Sequence, residues 1–357
     1  MRVLIAPDKF AGTLSAVQAA EAIAEGWLRR SPGDELDLAP MSDGGPGFVD
    51  VIHTALGGEL LAATVEGPFG DPVPALILRE ADTAYIESAQ ACGLPLTRDG
   101  DPEKASSYGV GQLLAAAIDM GARRIVVGLG GSGTTDGGAG LLAALGAQPA
   151  ELLHAGAAGL AGLDTVLLPG RPEVEIVIAS DVDSPLTGLF GAAKTFGPQK
   201  GIAEDRLPAV DGLLEHFAAR TDRRLSLEKG AGAAGGLGFA LMLLGGRREP
   251  GIDLVAGIVG LADRARKADL VVTGEGAFDF SSRSGKVPYG VAAISAEALR
   301  PCIALAGQVL IGSREMRALG IEAAYSLVDL VGEQRAMGDP AASLAELAQR
   351  TARTWSR

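Results

Sequence analysis

Little in this chain can bind a metal through sulfur or imidazole. Its 357 residues hold only two cysteines, Cys92 and Cys302, and three histidines, His53, His154 and His216. The cysteines lie far apart and form no Cys-x-x-Cys pair, which argues against a structural zinc site and against a disulfide scaffold. A reducing cytosol is the expected compartment. Basic charge is scarce too: 31 Lys and Arg against 44 Asp and Glu leave a net −13. A nucleic-acid partner needs a basic face, so none is expected. Aromatics at 4% speak against base stacking as well. Long apolar runs are missing. The opening Met1–Ala6 breaks at Pro7-Asp8-Lys9, too soon for a signal peptide. The longest uncharged stretch, Gly230 to Gly246, has 17 residues where a membrane span needs ~20. There is no Walker A string, no Gly-x-Ser-x-Gly elbow and no Ser/His/Asp set. A soluble cytoplasmic protein without a membrane partner, monomeric or homodimeric, is expected.

Glycine is abundant: 51 residues, about twice the usual ~7%. It clusters without a Gly-X-Y period, which excludes collagen. The length predicts two domains. Short aliphatic runs at 3–6, 125–127, 176–179, 270–272 and 303–306 each end in Gly, Asp or Pro within a few residues. Continuous apolar runs of this length read as parallel strands buried on both faces. Ala-rich helical stretches separate them, so the class is α/β. Thr64 to Glu87 alternates around Gly67-Pro68 and Asp71-Pro72 and reads as antiparallel hairpin material of a second domain. Ser15-Ala16-Val17-Gln18 is a capping box, followed by apolar residues at 16, 20, 23 and 27 and a stop at Ser31-Pro32-Gly33. The preceding loop, Pro7 to Thr13, therefore joins a strand end to a helix start, where ligands bind in open α/β sheets.

The densest motif is Gly128 to Gly140, which contains Ser132, Thr134, Thr135 and Asp136. It follows a strand and opens a helix. Glycines admit an anion close to backbone N–H groups, and a helix N-terminus adds partial positive charge. A tight strand-to-helix turn is the competing reading. Carboxylates follow apolar runs at Asp8-Lys9, at Ser42-Asp43-Gly44-Gly45, at Asp181-Val182-Asp183 and at Glu275 to Asp279. Each alone reads as a cap or an Asx turn. Several at strand ends favour a shared site, where oxygen ligands also suit Mg2+. Lys200 and Lys286 sit in Gly/Pro loops and could meet a phosphate or a carboxylate as point charges.

In order along the chain, these strings resemble the bacterial type I glycerate kinases. The strings are Ile5 to Phe10, Pro40 to Gly45, Gly128 to Gly140, Asp181 to Gly188, Phe196 to Gly201, Gly230 to Gly238, Thr273 to Gly276 and Gly285-Lys286-x-Pro288. The resemblance implies two α/β domains: a discontinuous Rossmann-like three-layer domain from 1–64 and 265–357, and an inserted mixed α/β domain, 65–264, with the Gly-rich anion loop. It implies ATP-dependent phosphorylation of (R)-glycerate to 2-phosphoglycerate, with Mg2+ as cofactor. Catalytic candidates are then Asp181, Lys9, Asp8, Asp43 and Lys286. Candidates for substrate or phosphate binding are Gly130, Gly131, Ser132, Gly133, Thr134, Asp136, Lys200, Glu275 and Asp279. Asp181 and Glu275 are the candidate metal ligands. The chain departs from the family pattern at Ala11, at Pro46-Gly47-Phe48 and at Ala277. Two alternatives stand beside the kinase: a nicotinamide-dependent oxidoreductase, which lacks its acid about 20 residues beyond the glycines, and a non-catalytic ligand-binding relative.

Overall fold

A computed structural model describes residues 1–10, 12–279 and 286–356. The chain divides into two compact units. The first comprises Met1–Asp43, Asp50–Leu56 and Ile252–Arg357, and the second comprises Gly44–Val49 and Gly57–Gly251. The expected boundaries at 64/65 and 264/265 are placed differently. Residues 59–66 pair along their whole length with 72–80, and the helix Leu261–Lys267 packs on the first strand.

The sheet of the first unit is built from β1 (Arg2–Ile5), β2 (Glu35–Leu38), β9 (Leu270–Phe278), β10 (Cys302–Val309) and β11 (Ala323–Ser326). All its pairings are parallel, in the order β11-β10-β9-β1-β2. Numbered within the unit this is 2-1-3-4-5, the flavodoxin-like doubly wound order. Residues alternate across a strand. Val3, Ile5, Leu270, Val272, Ile303 and Leu305 face the helices Ala16–Arg30 and Pro340–Trp355. Leu4, Val271 and Ala304 between them are equally buried, and the helices Leu261–Lys267 and Val287–Glu297 also pack on this sheet. Cover on both faces makes three layers and explains the unbroken apolar runs. The capping box forms as expected, with Gln18 N donating to Ser15 Oγ and Ser15 N donating to Gln18 Oε1.

The second unit is an inserted mixed sheet of six strands. β3 (Glu59–Glu66), β4 (Pro72–Glu80) and β5 (Thr83–Glu87) run antiparallel, and β6 (Arg124–Gly128), β7 (Glu175–Ala179) and β8 (Arg247–Glu249) continue in parallel from β5. Ile77, Ile86, Ile125, Val127, Ile176 and Ile178 share one core with the helices Tyr108–Asp119, Leu207–Arg220 and Leu237–Leu243. Among the described residues no helix is long and apolar enough to cross a membrane.

Candidate active site

In a doubly wound sheet the ligand crevice opens at the carboxyl edge where strand order reverses. In the first unit that point lies between β1 and β9. Two backbone bonds carry the chain past β1 alongside β9: Ala6 N donates to Val272 O at 2.7 Å and Asp8 N to Gly274 O at 2.8 Å. Asp8 is thereby fixed at the edge, 6% exposed. Met41 N donates to Pro7 O at 2.9 Å, which draws in the loop after β2. Lys9 Nζ then stands between two carboxylates, 3.4 Å from Asp8 Oδ1 and 3.3 Å from Asp43 Oδ1. On the far side of the switch point, Lys286 Nζ is 3.9 Å from Glu275 Oε2 and 3.7 Å from Asp279 Oδ1. Asp8, Lys9, Asp43, Glu275 and Lys286 line one cavity of about 470 Å3, within the range of small-molecule sites.

The electrostatics of this group are uneven. Burial pushes the Asp8 carboxyl up to about 7; Lys9 opposes the rise, and the neighbouring Asp43 and Glu275 add to it. For Lys9 the cost of burial is outweighed by Asp8 and Asp43, which hold its ammonium above the ordinary lysine range. The site thus combines two cations with a carboxyl that changes charge near neutral pH. Such groups handle phosphate and carboxylate charge and move protons.

The other expected residues lie in the second unit. Gly130 to Asp136 follow β6, but their glycines face the chain itself. Gly131 has φ +65°, and a Cβ there would sit 2.7 Å from Pro46 Cγ; one at Gly133 would sit 2.1 Å from Thr97 Oγ1. Close packing requires these glycines. The N-terminus of the helix Ala139–Ala144 is likewise filled from within. Asp136 Oδ1 accepts from Gly138 N at 3.0 Å; its Oδ2 accepts from Gly140 N at 3.2 Å, Ser107 N at 2.8 Å and Ser107 Oγ at 2.7 Å. The acid expected to help hold an outside ligand accepts all four of these bonds from the chain itself. Lys200, 6% exposed, donates to Ser132 Oγ at 3.0 Å and to Thr134 O at 2.6 Å, so it ties this loop together. Asp181 lies just past β7 at its carboxyl end, where Ser180 Oγ accepts from Val182 N. Ala11 and residues 280–285, including Gly285 of the expected Gly-Lys string, lie outside the described residues.

Burial lowers the Lys200 ammonium to about 8, against the pull of Cys92 and Asp136. Between pH about 8 and the ordinary 10.5, the unfolded chain keeps a proton that the folded chain has released. Stability therefore rises with pH across that window. In urea melts, the wild type should gain on Lys200→Met between about pH 7.5 and about pH 10. An equal gap at both values would contradict the assignment.

Sequence reasoning missed the other end of the cavity, formed by Gln308, Leu327, Val328, Glu333, Ala336 and Met337. In the sequence these look like ordinary strand and helix residues. The one signal was a polar Gln308 two residues beyond the apolar run 303–306.

A doubly wound unit with paired lysines and carboxylates at its switch point defines a class of small-molecule enzyme that handles anionic substrates. The particular family follows from comparison. Residues 3–356 match the glycerate kinase family. A glycerate kinase of Bacillus subtilis (strain 168) is 40% identical over 345 residues, covering 92% of this chain and 90% of its own. The glycerate 2-kinase of Escherichia coli (strain K12) is 37% identical over 349 residues, covering 93% and 92%. A crystal structure described as a glycerate kinase 2 of Salmonella typhimurium LT2 matches with a TM-score of 0.79 at 35% identity, covering 99% of this chain and 98% of that one. The chain belongs to the glycerate kinase family.

Proposed function

We propose that this protein transfers the γ-phosphoryl group of ATP to the 2-hydroxyl of (R)-glycerate, giving 2-phosphoglycerate and ADP. The observation that carries the reading is the meeting of Asp8, Lys9, Asp43, Glu275 and Lys286 around one cavity at the switch point. The relatives named as glycerate kinases supply the acceptor, and the Escherichia coli glycerate 2-kinase supplies the position.

Phosphoryl transfer needs positioning and charge neutralisation more than covalent chemistry. Lys9 and Lys286 offset phosphate charge. Asp8, with its carboxyl raised to about 7, takes the hydroxyl proton as the new O–P bond forms and the bond to the ADP oxygen breaks. Asp43 keeps Lys9 charged and turned toward Asp8.

The donor set also fits Mg2+. The carboxylates here are hard oxygen ligands. That suits Mg2+, which takes one or two carboxylates together with substrate phosphates and water. Glu275 would hold it. Bound there, it would offset the negative charge of the phosphates. The ground for a nicotinamide cofactor is weakened, because the glycines at 131 and 133 are needed for packing.

The test is ADP release from ATP with (R)-glycerate, (S)-glycerate and lactate, with and without Mg2+. We expect turnover with (R)-glycerate on the order of 1–100 s⁻¹, dependent on Mg2+. Turnover of a different hydroxy acid alone would move the substrate and spare the kinase. No ADP release with any acceptor would overturn the reading.

A further inference from the structure

The cavity of the first unit changes character along its length. Across the carboxyl edge the strands follow the order β2, β1, β9, β10, β11. Over β2, β1 and β9 the lining is charged: Asp43, Asp8, Lys9 and Glu275, with Lys286 entering the next helix. Over β10 and β11 the charge thins out: two polar side chains remain, Gln308 of β10 and Glu333, among apolar ones, with Leu327 and Val328 following β11 and Ala336 and Met337 coming from the helix Glu333–Gly338. Three strand intervals separate β1 from β11, about 14 Å at the usual spacing. One elongated ligand can therefore reach from Lys9 to Met337.

The two co-substrates differ in a way that decides which of them this cavity receives. Glycerate is a three-carbon acid with a carboxylate and two hydroxyls and has no apolar surface to bury. ATP has a charged end and, a phosphate chain away, a flat apolar base. A cavity with lysines at one end and aliphatic walls at the other matches ATP. Met337 is 60% exposed although it lines the cavity. A soft thioether at the lip is well suited to lie on an aromatic ring. Glu333 stands one helical turn from Met337 on the same face. Among the described residues its carboxylate has no hydrogen-bond or ion-pair partner, and a carboxylate is a natural acceptor for ribose hydroxyls.

We infer that the apolar end over β10 and β11 is a purine-nucleoside pocket: Leu327, Val328 and Met337 wall the base, Glu333 holds the ribose, and the phosphates run back over β9 to Lys9 and Lys286. This rests on the kinase reading, because it assigns ATP and not glycerate to the cavity. It places the reacting phosphoryl group beside Asp8.

Calorimetric titration of the full chain with ADP and, separately, with tripolyphosphate, both with MgCl2, tests the assignment. Tripolyphosphate carries the three phosphates of ATP, one more than ADP has, and no nucleoside, so a preference for ADP comes from the nucleoside. The wild type should bind ADP at least tenfold more tightly than tripolyphosphate. Met337→Ser, an exposed position whose change leaves the fold intact, should weaken ADP by three- to tenfold and leave tripolyphosphate within twofold. Glu333→Gln should reduce the preference for ADP over 2′-deoxy-ADP. If ADP binds but neither variant changes its affinity, or if both ligands weaken together, the pocket assignment is overturned and the kinase reading stands. If neither ligand binds, the kinase reading falls with it.

Discussion

Asp8→Asn is expected to lower kcat by roughly 10²- to 10⁴-fold, the usual range for loss of a group that moves a proton in the transition state. The substitution keeps the acceptor that Lys9 N uses at 2.7 Å, so the loop geometry survives. What it removes is the capacity to take a proton. KM for glycerate should change far less, since the loss is felt in the transition state. The pH profile separates catalysis from structure. In the wild type, kcat/KM should rise through about pH 7 as the free enzyme's Asp8 ionises, and the variant should lack that limb. Stability gives a second readout. The folded carboxyl titrates at about 7, above its ordinary 3.8, so the folded chain holds the extra proton between those values. Its contribution to stability is fully present below about pH 4 and is lost as pH rises through about 7. Denaturant melts should show Asp8→Asn gaining on the wild type across that window. A variant with wild-type kcat and an unchanged pH limb would remove Asp8 from the chemistry.

Asp136→Ala is expected to have the largest effect on the fold. The side chain is fully buried and accepts four hydrogen bonds, from Ser107 N, Ser107 Oγ, Gly138 N and Gly140 N. Its loss leaves all four donors without this acceptor at a helix N-terminus, each costing about 1–3 kcal/mol and not fully additively. A loss on the order of 4–5 kcal/mol follows, among the largest that single substitutions cause. For a unit of this size, thermal scanning should show a drop in Tm of about 10–20 °C. Asp136→Asn, which retains one oxygen acceptor, should lose less. If Asp136→Ala melted like the wild type but lost affinity for ADP or glycerate, the loop would be an anion site after all.

The central strands were legible because they are buried on both faces and read as unbroken aliphatic runs. The edges were not. β2, β8 and β11 are short, partly exposed and polar or small in composition, as in Glu-Leu-Asp-Leu and Arg-Arg-Glu, and nothing in their pattern separates them from loops. The acid and lysine strings after the aliphatic runs of β1 and β9 were visible because charge soon after such a run marks a sheet's carboxyl edge, and Asp43 was visible within its Ser-Asp-Gly-Gly loop. What they do there was not visible. The raised carboxyl of Asp8 depends on burial and on Asp43 and Glu275, which come from distant parts of the chain. The glycine loop was ambiguous in sequence. A run such as Gly130-Gly131-Ser132-Gly133 looks the same in sequence whether it leaves room for a ligand or for Pro46 and Thr97. Met337 and Leu327 were unreadable as site residues because apolar residues at helical spacing are ordinarily core.

The most direct measurement of the account is ³¹P NMR of the purified protein incubated with ATP, Mg2+ and (R)-glycerate. The γ-phosphate signal of ATP should be lost as one phosphomonoester resonance coupled to the C2 proton of glycerate grows, and that growth should slow by at least 10²-fold in Asp8→Asn. Inorganic phosphate and ADP with no phosphomonoester, or a phosphomonoester that forms as fast in Asp8→Asn as in the wild type, would contradict it.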